Sequence, residues 1–320
     1  MLLLSTISLS AVHYETSVTG ILDNREYGNG PSPDQTYFFV STQNQIGISV
    51  APDHFIKSGF TFLQEFGAPA TVENLHLLLY YEYAKTDFQF LMGSIPRQGI
   101  LTLPKELLND STHYFRPFLQ GAFCSLNKGP LTAHAWVDWT GRQTDTVPEA
   151  FLFGIGSTFS RGVFFANQDF VMYHKAAPGN RINYHAVQDN GGLSVSAGIA
   201  TGKTVLLDTL CFSAGGVMSL DRSRVDNIWH TPAGGVLNGE IWKGHFGMKV
   251  SAFKGQSQIL SWGDSFFTLP SFARADFMIH FIKSENVKAN FFQSFHFFDR
   301  KIGYSQHFLL AAALNGSVKK

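Results

Sequence analysis

Residues 272–311 read as three strands joined by very short turns, and no other stretch limits the fold as much. Phe272, Arg274, Asp276, Met278 and His280 alternate with Ala273, Ala275, Phe277, Ile279 and Phe281. Successive side chains of a strand point to opposite faces, so a period of two makes one face mostly polar and the other wholly apolar. After the turn at Lys283-Ser284-Glu285, Val287, Ala289, Phe291, Phe295 and Phe297 oppose Lys288, Asn290, Ser294 and His296. Asp299-Arg300 then turns the chain into a last strand ending in Phe308-Leu309-Leu310. A sheet with one greasy and one polar face is either a soluble sheet over a core or a membrane barrel around a wet lumen.

Composition separates these two. Charged residues make up 15% of the 320-residue chain, against roughly 25% in an ordinary soluble domain. Apolar residues reach 44%, yet no window offers about twenty uninterrupted apolar residues, so a transmembrane helix is not indicated. The 31 phenylalanines and 30 glycines suit a β-barrel, in which only every second residue faces lipid. The net formal charge is +0, which gives no long-range attraction to nucleic acid.

Strand-like segments follow one another with almost no helical period, and about sixteen can be counted. Alternation is clean in several. Ala133, Ala135, Val137 and Trp139 oppose Thr132, His134, Trp136, Asp138 and Thr140, and Phe246, Met248, Val250 and Ala252 oppose Gly247, Lys249 and Ser251. Phe88, Phe90 and Met92 oppose Asp87, Gln89 and Gly93. Thr42, Asn44 and Gln293 fall on the nominal apolar face, as they would outside the hydrocarbon band or beside a bulge. Tyr37, Tyr83, Trp139, Tyr173 and Trp242 lie near strand ends, where aromatic side chains suit membrane interfaces.

The connections carry the most weight. Short turns alternate along the chain with longer connections at 25–35, 65–72, 95–114, 141–149, 175–191, 221–233 and 254–271; only the last connection, Asp299-Arg300, is short where a long one is due. Outer-membrane barrels show this asymmetry, with short periplasmic turns and long external loops. The expected fold is therefore all-β: a single closed antiparallel transmembrane β-barrel. Its expected limits are a lead-in segment or truncated signal at 1–12, the barrel at 13–313 and a tail at 314–320. Residues 104–109 are the one place for a helical turn, and connection 95–114 or 254–271 is expected to fold into the lumen as a constriction.

Motifs for catalysis are weak. Gly154-Ile155-Gly156 places two glycines on one face of a strand, and Gly202-Lys203-Thr204 lacks the glycine-rich lead and following helix of a phosphate loop. The 12 histidines have no metal-site spacing, and the two cysteines, Cys124 and Cys211, read as small side chains inside strands. A hydrolase reading rests on Ser305 and His307, two apart on one strand face, with Asp276 and His280 on a strand further along. Charged groups within strands must face water or a partner. The lumen and selectivity candidates are accordingly Lys57, Asp87, Arg116, Asp138, Lys249, Arg274, Asp276, His280 and Lys288, and their mixed signs argue against strong anion or cation selectivity.

The runs Gly20-Ile21-Leu22-Asp23-Asn24-Arg25-Glu26-Tyr27, Gly93-Ser94-Ile95-Pro96-Arg97 and Asp110-Ser111-Thr112-His113-Tyr114-Phe115-Arg116-Pro117 resemble segments of a porin-like outer-membrane barrel family from Bacteroidetes. The closing Gly303-Tyr304-Ser305-Gln306-His307-Phe308 is similar to it as well. That resemblance implies a barrel in the outer membrane of a Gram-negative bacterium and names no substrate. The resulting expectation is a channel passing small polar solutes, not an enzyme, with no cofactor, metal or catalytic residue. Its partners are outer-membrane lipid and lipopolysaccharide, not nucleic acid. A plugged barrel with a binding or structural role, an outer-membrane hydrolase and a large soluble all-β domain are the alternatives.

Overall fold

The computed structural model describes residues 11–68, 74–179, 187–225 and 227–319. Most of the expected lead-in segment, and parts of the connections near 70 and 180, lie outside these residues. Sixteen strands form one closed antiparallel barrel in which every strand pairs with its sequence neighbours and β1 closes on β16. The first eight are β1 (Ala11–Glu26), β2 (Gln35–Ala51), β3 (His54–Glu65), β4 (Leu75–Ala84), β5 (Phe88–Pro96), β6 (Phe118–Lys128), β7 (Leu131–Gly141) and β8 (Ala150–Arg161). The second eight are β9 (Phe164–Lys175), β10 (Gln188–Thr201), β11 (Thr209–Ser223), β12 (Ala233–Lys243), β13 (Phe246–Gly255), β14 (Ser271–Lys283), β15 (Val287–Phe298) and β16 (Lys301–Lys319). Strands in hydrocarbon must pair every backbone N–H and C=O, and closure does this while removing the edges. The pairing of β1 with β16 runs to Ala11 opposite Lys319, past the 313 boundary read from the sequence.

The outer face is the apolar one. Phe277 is 47% exposed, Phe246 65% and Leu77 74%, with Ile199, Leu79 and Phe164 also turned outward. No helix among the described residues is long and apolar enough to cross a membrane; the crossing is made by strands. The protein is an outer-membrane β-barrel of Gram-negative type. By the loop-length rule the connections after β1, β3, β5, β7, β9, β11, β13 and β15 are external.

Polar residues on the outer face need no bulge. Thr42 donates its hydroxyl to the Ser17 carbonyl at 3.0 Å, Asn44 donates to Thr42 Oγ1 at 2.9 Å, and Gln293 donates to the Ser305 carbonyl at 3.3 Å. The register shifts lie elsewhere, at 49/51, 139/141 and 280/282. The two cysteines are free. Of the expected interface aromatics, Trp139 is exposed on the outer face, but Tyr37, Tyr173 and Trp242 turn inward against Phe115, Trp262 and His280.

Connection 95–114 or 254–271 is expected from the sequence to fold inward, and both do, the strand ends setting them at 97–117 and 256–270. Leu101, Leu103, Leu107 and Leu108 bury against the inner face of β4–β9, on Leu91, Ile95, Leu119, Phe123, Trp136, Leu152 and Val171. The helical turn expected within 104–109 forms, with Leu107 and Leu108 N–H closing back on the Pro104 carbonyl, but it is not the one helical place in the connection, since helix α1 spans Ser111–Phe115. The second connection inserts Phe266 and Phe267 among Tyr27, Phe253, Phe272 and Phe298. The two loops clasp each other through Asn109 N–H to the Trp262 carbonyl and Asp264 N–H to the Lys105 carbonyl, both 2.8 Å.

Glycines on the lumen face make room for bulky neighbours. A Cβ on Gly154 would come within 2.8 Å of the Trp136 ring, and one on Gly156 within 2.3 Å of His134.

Candidate functional site

The inner faces of β12–β16 and β1, together with the inward loops, enclose a charged cleft of about 840 Å³. Its walls are stacked levels of cross-strand neighbours. One level runs Glu240, Lys249, Asp276, Ser294, Ser305, Arg25, each opposite the next in register. On the adjoining level Asp23 faces His307 directly across the β1–β16 pair. Side chains directly opposite on one face have Cβ atoms about 4.5–5.5 Å apart, so these residues interact by position.

The groups are ordered by ion pairs and hydrogen bonds. Arg25 Nη2 donates to Asp23 Oδ2 at 2.6 Å. Arg274 Nε donates to Asp276 Oδ1 at 2.6 Å, and its Nη2 donates to Ser294 Oγ at 3.2 Å. His307 Nε2 lies 3.1 Å from the Tyr114 hydroxyl, with the two rings stacked at 12°. Helix α1 thus brings Tyr114 down from the external loop onto a histidine of the wall. His113, on the same helix, has its pKa lowered by burial and by the Arg97 guanidinium, so it is neutral at pH 7. Glu106, also in the inward loop, is pushed up by burial and accepts from Ser194 Oγ at 2.7 Å.

The residues singled out from the sequence divide into two groups. Asp276, His280, Ser305, His307, Arg274 and Lys249 all line the cleft. Asp138 is 0% exposed and does not reach the cleft; Arg97 and Arg116 pair with it, and Gln120 N–H donates to it at 2.9 Å. Arg116 sits between α1 and β6, outside any strand. Lys57 pairs with Glu82 at 2.9 Å and Glu15 at 3.3 Å, on the β1–β4 wall. Asp87 lies in the exposed turn before β5, and Lys288 is exposed beside the turn before β15, at the same end of the barrel. Strand limits set one residue too wide explain the first, because the turn at 85–87 takes Asp87 out of the ladder.

The Ser/His/acid arrangement does not form. Ser305 Oγ is 3.5 Å from His296 Nε2, at the limit of a hydrogen bond, and His296 Nδ1 has no partner. His296 is instead clamped between Tyr27 and Phe266. Sequence reasoning missed His296, Tyr114 and the opposition of Asp23 to His307. The last depends on β1 meeting β16, which no local pattern reveals. No group of three or more His, Cys, Asp or Glu among the described residues could hold a metal ion.

The family model of lipid A 3'-O-deacylase-type proteins matches residues 8–310. The chain belongs to that family. This corrects the resemblance to a porin-like Bacteroidetes family, which rested on short strand ends and loop residues that any barrel of this build can share. It also overturns the expectation of a non-enzymatic barrel, since the family is named for an acyl-ester hydrolysis. No contiguous motif announces that chemistry, because the residues facing the cleft come from strands and a loop far apart in the chain. Among curated proteins none matches by sequence. In fold this deacylase-type barrel is similar to outer-membrane channel proteins. Acinetobacter baumannii OccAB4 matches with TM-score 0.52 and 9% identity over 98% of this chain and 100% of that one. Pseudomonas aeruginosa OpdO matches with TM-score 0.55 and 8% identity over 96% and 98%. Pseudomonas aeruginosa OccK2 (OpdF), solved with glucuronate, matches with TM-score 0.53 and 8% identity over 95% and 98%. At such identities the likeness is one of architecture.

Proposed function

We propose that this barrel hydrolyses an O-acyl ester of lipid A in the outer leaflet, with the charged cleft as its active site. The observation that carries the reading is His307, hydrogen-bonded to Tyr114 and directly opposite Asp23 in the wall of a cleft lined by Arg25 and Arg274. Membership of the deacylase-type family supports the reaction class.

His307 acts as general base. It takes a proton from a water whose oxygen attacks the acyl carbon, and Asp23 stabilises the imidazolium that forms. The carbonyl oxygen becomes an oxyanion, stabilised by the Arg25 guanidinium and the Tyr114 hydroxyl. Collapse breaks the bond to the sugar oxygen, which takes the proton back from His307. The products are a free fatty acid and a sugar hydroxyl. Direct attack by water fits better than an acyl-serine, because no acid completes a triad around Ser305 and His296.

The test is reconstitution of the purified barrel with lipopolysaccharide, followed by mass spectrometry of the lipid A. The expected result is loss of one acyl chain. His307→Asn should slow this by about a hundred- to ten-thousandfold, the usual worth of a general base. An unchanged lipid A mass with folded wild-type protein counts against the reaction, and full activity of His307→Asn counts against the site.

A second reading, passage of small polar solutes, is favoured by one observation. A further cavity of about 760 Å³ shares Lys105, Asp110, Lys249, Arg274 and Asp276 with the cleft, so water can reach far along the lumen beside the inward loops. Stepwise conductance in planar bilayers supports it; sealed bilayers over many insertions remove it.

A further inference from the structure

The lumen holds a smaller pocket of about 190 Å³ between the inner faces of β1–β3 and helix α1. One wall is apolar, formed by Ile21, Phe39, Leu63, Phe115 and Leu309, of which the first three form a cluster of their own beneath Tyr114. The remaining lining is mostly uncharged polar, including Thr19, Ser41, Thr61, Asn74, His76 and Gln98. The pocket has no Asp, Glu, Lys or Arg in its lining, whereas the adjoining cleft is lined by Asp23, Arg25, Lys105, Asp110, Arg274 and Asp276. His113, Tyr114 and Leu309 line both spaces. The Tyr114–His307 hydrogen bond therefore sits at the partition between a charged chamber and an uncharged one. The volume of the pocket exceeds the about 150 Å³ that accommodates benzene in an apolar cavity, so a short run of methylene groups fits along the apolar wall.

We propose that the uncharged pocket behind Tyr114 is the acyl-chain subsite, receiving the fatty chain of the ester while the charged cleft holds the polar head. The inference rests on the hydrolase reading and extends it to chain selection. An amphiphile laid across both chambers has its ester where polarity changes, and that boundary is where His307, Tyr114 and Asp23 meet. The leaving fatty acid stays in the uncharged pocket while the sugar hydroxyl departs on the charged side. Burial of apolar chain grows more favourable with each methylene taken out of water, so the pocket discriminates by length and the cleft does not.

Two substitutions fill the pocket without touching the cleft: Ser41→Phe and Thr19→Leu. The barrel is reconstituted in vesicles with a short-chain and a long-chain acyl ester of one alcohol, after heat-modifiable electrophoretic migration confirms folding. The filled variants should lose about tenfold or more on the long-chain ester and stay within about twofold on the short one. A folded filled variant with the wild-type chain-length profile overturns the subsite; if Ser41→Phe does not fold, Thr19→Leu carries the same test. Should the wild type cleave neither ester, the hydrolase reading fails, and binding of the fluorescent fatty acid cis-parinarate decides the pocket separately. Binding that Ser41→Phe or Thr19→Leu abolishes retains the pocket as a fatty-chain site, and equal binding by all variants removes it.

Discussion

The inner face of β5–β8 and the inner face of β14–β16 with β1 obey the same alternation and have opposite contents. The first carries Leu91, Ile95, Leu119, Phe123, Trp136 and Leu152, packed dry against the leucines of loop 97–117. Its charges are reduced to the fully buried pair Arg97 and Asp138, with Arg116 at the margin. The second carries Arg274, Asp276, Ser294, Ser305, His307, Asp23 and Arg25 around open space. The lumen of this barrel is therefore not uniformly wet. One side is a core that anchors the inward loop, and the anchored loop delivers Tyr114 to the other side. Immobilising the loop on apolar contacts is what lets a residue of an external connection act at a fixed distance from His307.

The contrast breaks most severely at the buried pair. Arg97→Met leaves the Asp138 carboxylate without its main partner in a dry wall, and should cost about 3–5 kcal/mol. The double variant Arg97→Met, Asp138→Leu should recover most of that loss in chemical unfolding, because it removes both charges. If the single variant unfolds like wild type, the wall is wetter than its burial indicates. Next comes the packing itself. Leu107→Ala should cost about 2–5 kcal/mol, and by loosening the loop it should raise single-barrel conductance above the wild-type level. An unchanged conductance would mean that the second inward loop seals the lumen alone.

The charged side should respond more mildly. Arg274 keeps contact with water, so Arg274→Gln should cost about 1–3 kcal/mol, the range for hydrogen bonds to charged groups. A larger loss would mean that this side is also closed. The smallest effect is the pH dependence of the loop helix. Burial and Arg97 hold His113 below its ordinary value of 6.5, against an opposing pull from Asp110. The folded state thus binds the proton less readily than the unfolded state, so this group's stability contribution is full above 6.5 and lost as pH falls below it. Thermal unfolding at descending pH should show less decline for His113→Gln than for wild type; identical slopes would remove His113 from the account.

Much of the wall was legible in the chain. In β14 the charges Arg274 and Asp276 oppose Phe277 so cleanly that strand, face and lumen candidates could all be read. In β5 the clean alternation at Phe88, Phe90 and Met92 marks the outward side, but Leu91 and Ile95 make the inner face apolar as well, so the sequence there carries no sign of what the lumen side packs against. Thr42 and Asn44 were ambiguous for the opposite reason: they face outward but satisfy each other. Asp276, His280, Ser305 and His307 could be gathered from spacing. Asp23 and Tyr114 could not be joined to them, since one depends on where the sheet closes and the other on where a loop descends.

Sequence alone determined the closed sixteen-strand wall, its oily outside and its short turns on one side. These follow from a two-residue period and from chain connectivity, both of which are local. Tertiary structure decided which part of the lumen is dry, which histidine meets a tyrosine and which acid stands opposite it. Such juxtapositions are set by ring closure and loop insertion, and residues brought together that way leave no mark on their neighbours in the chain.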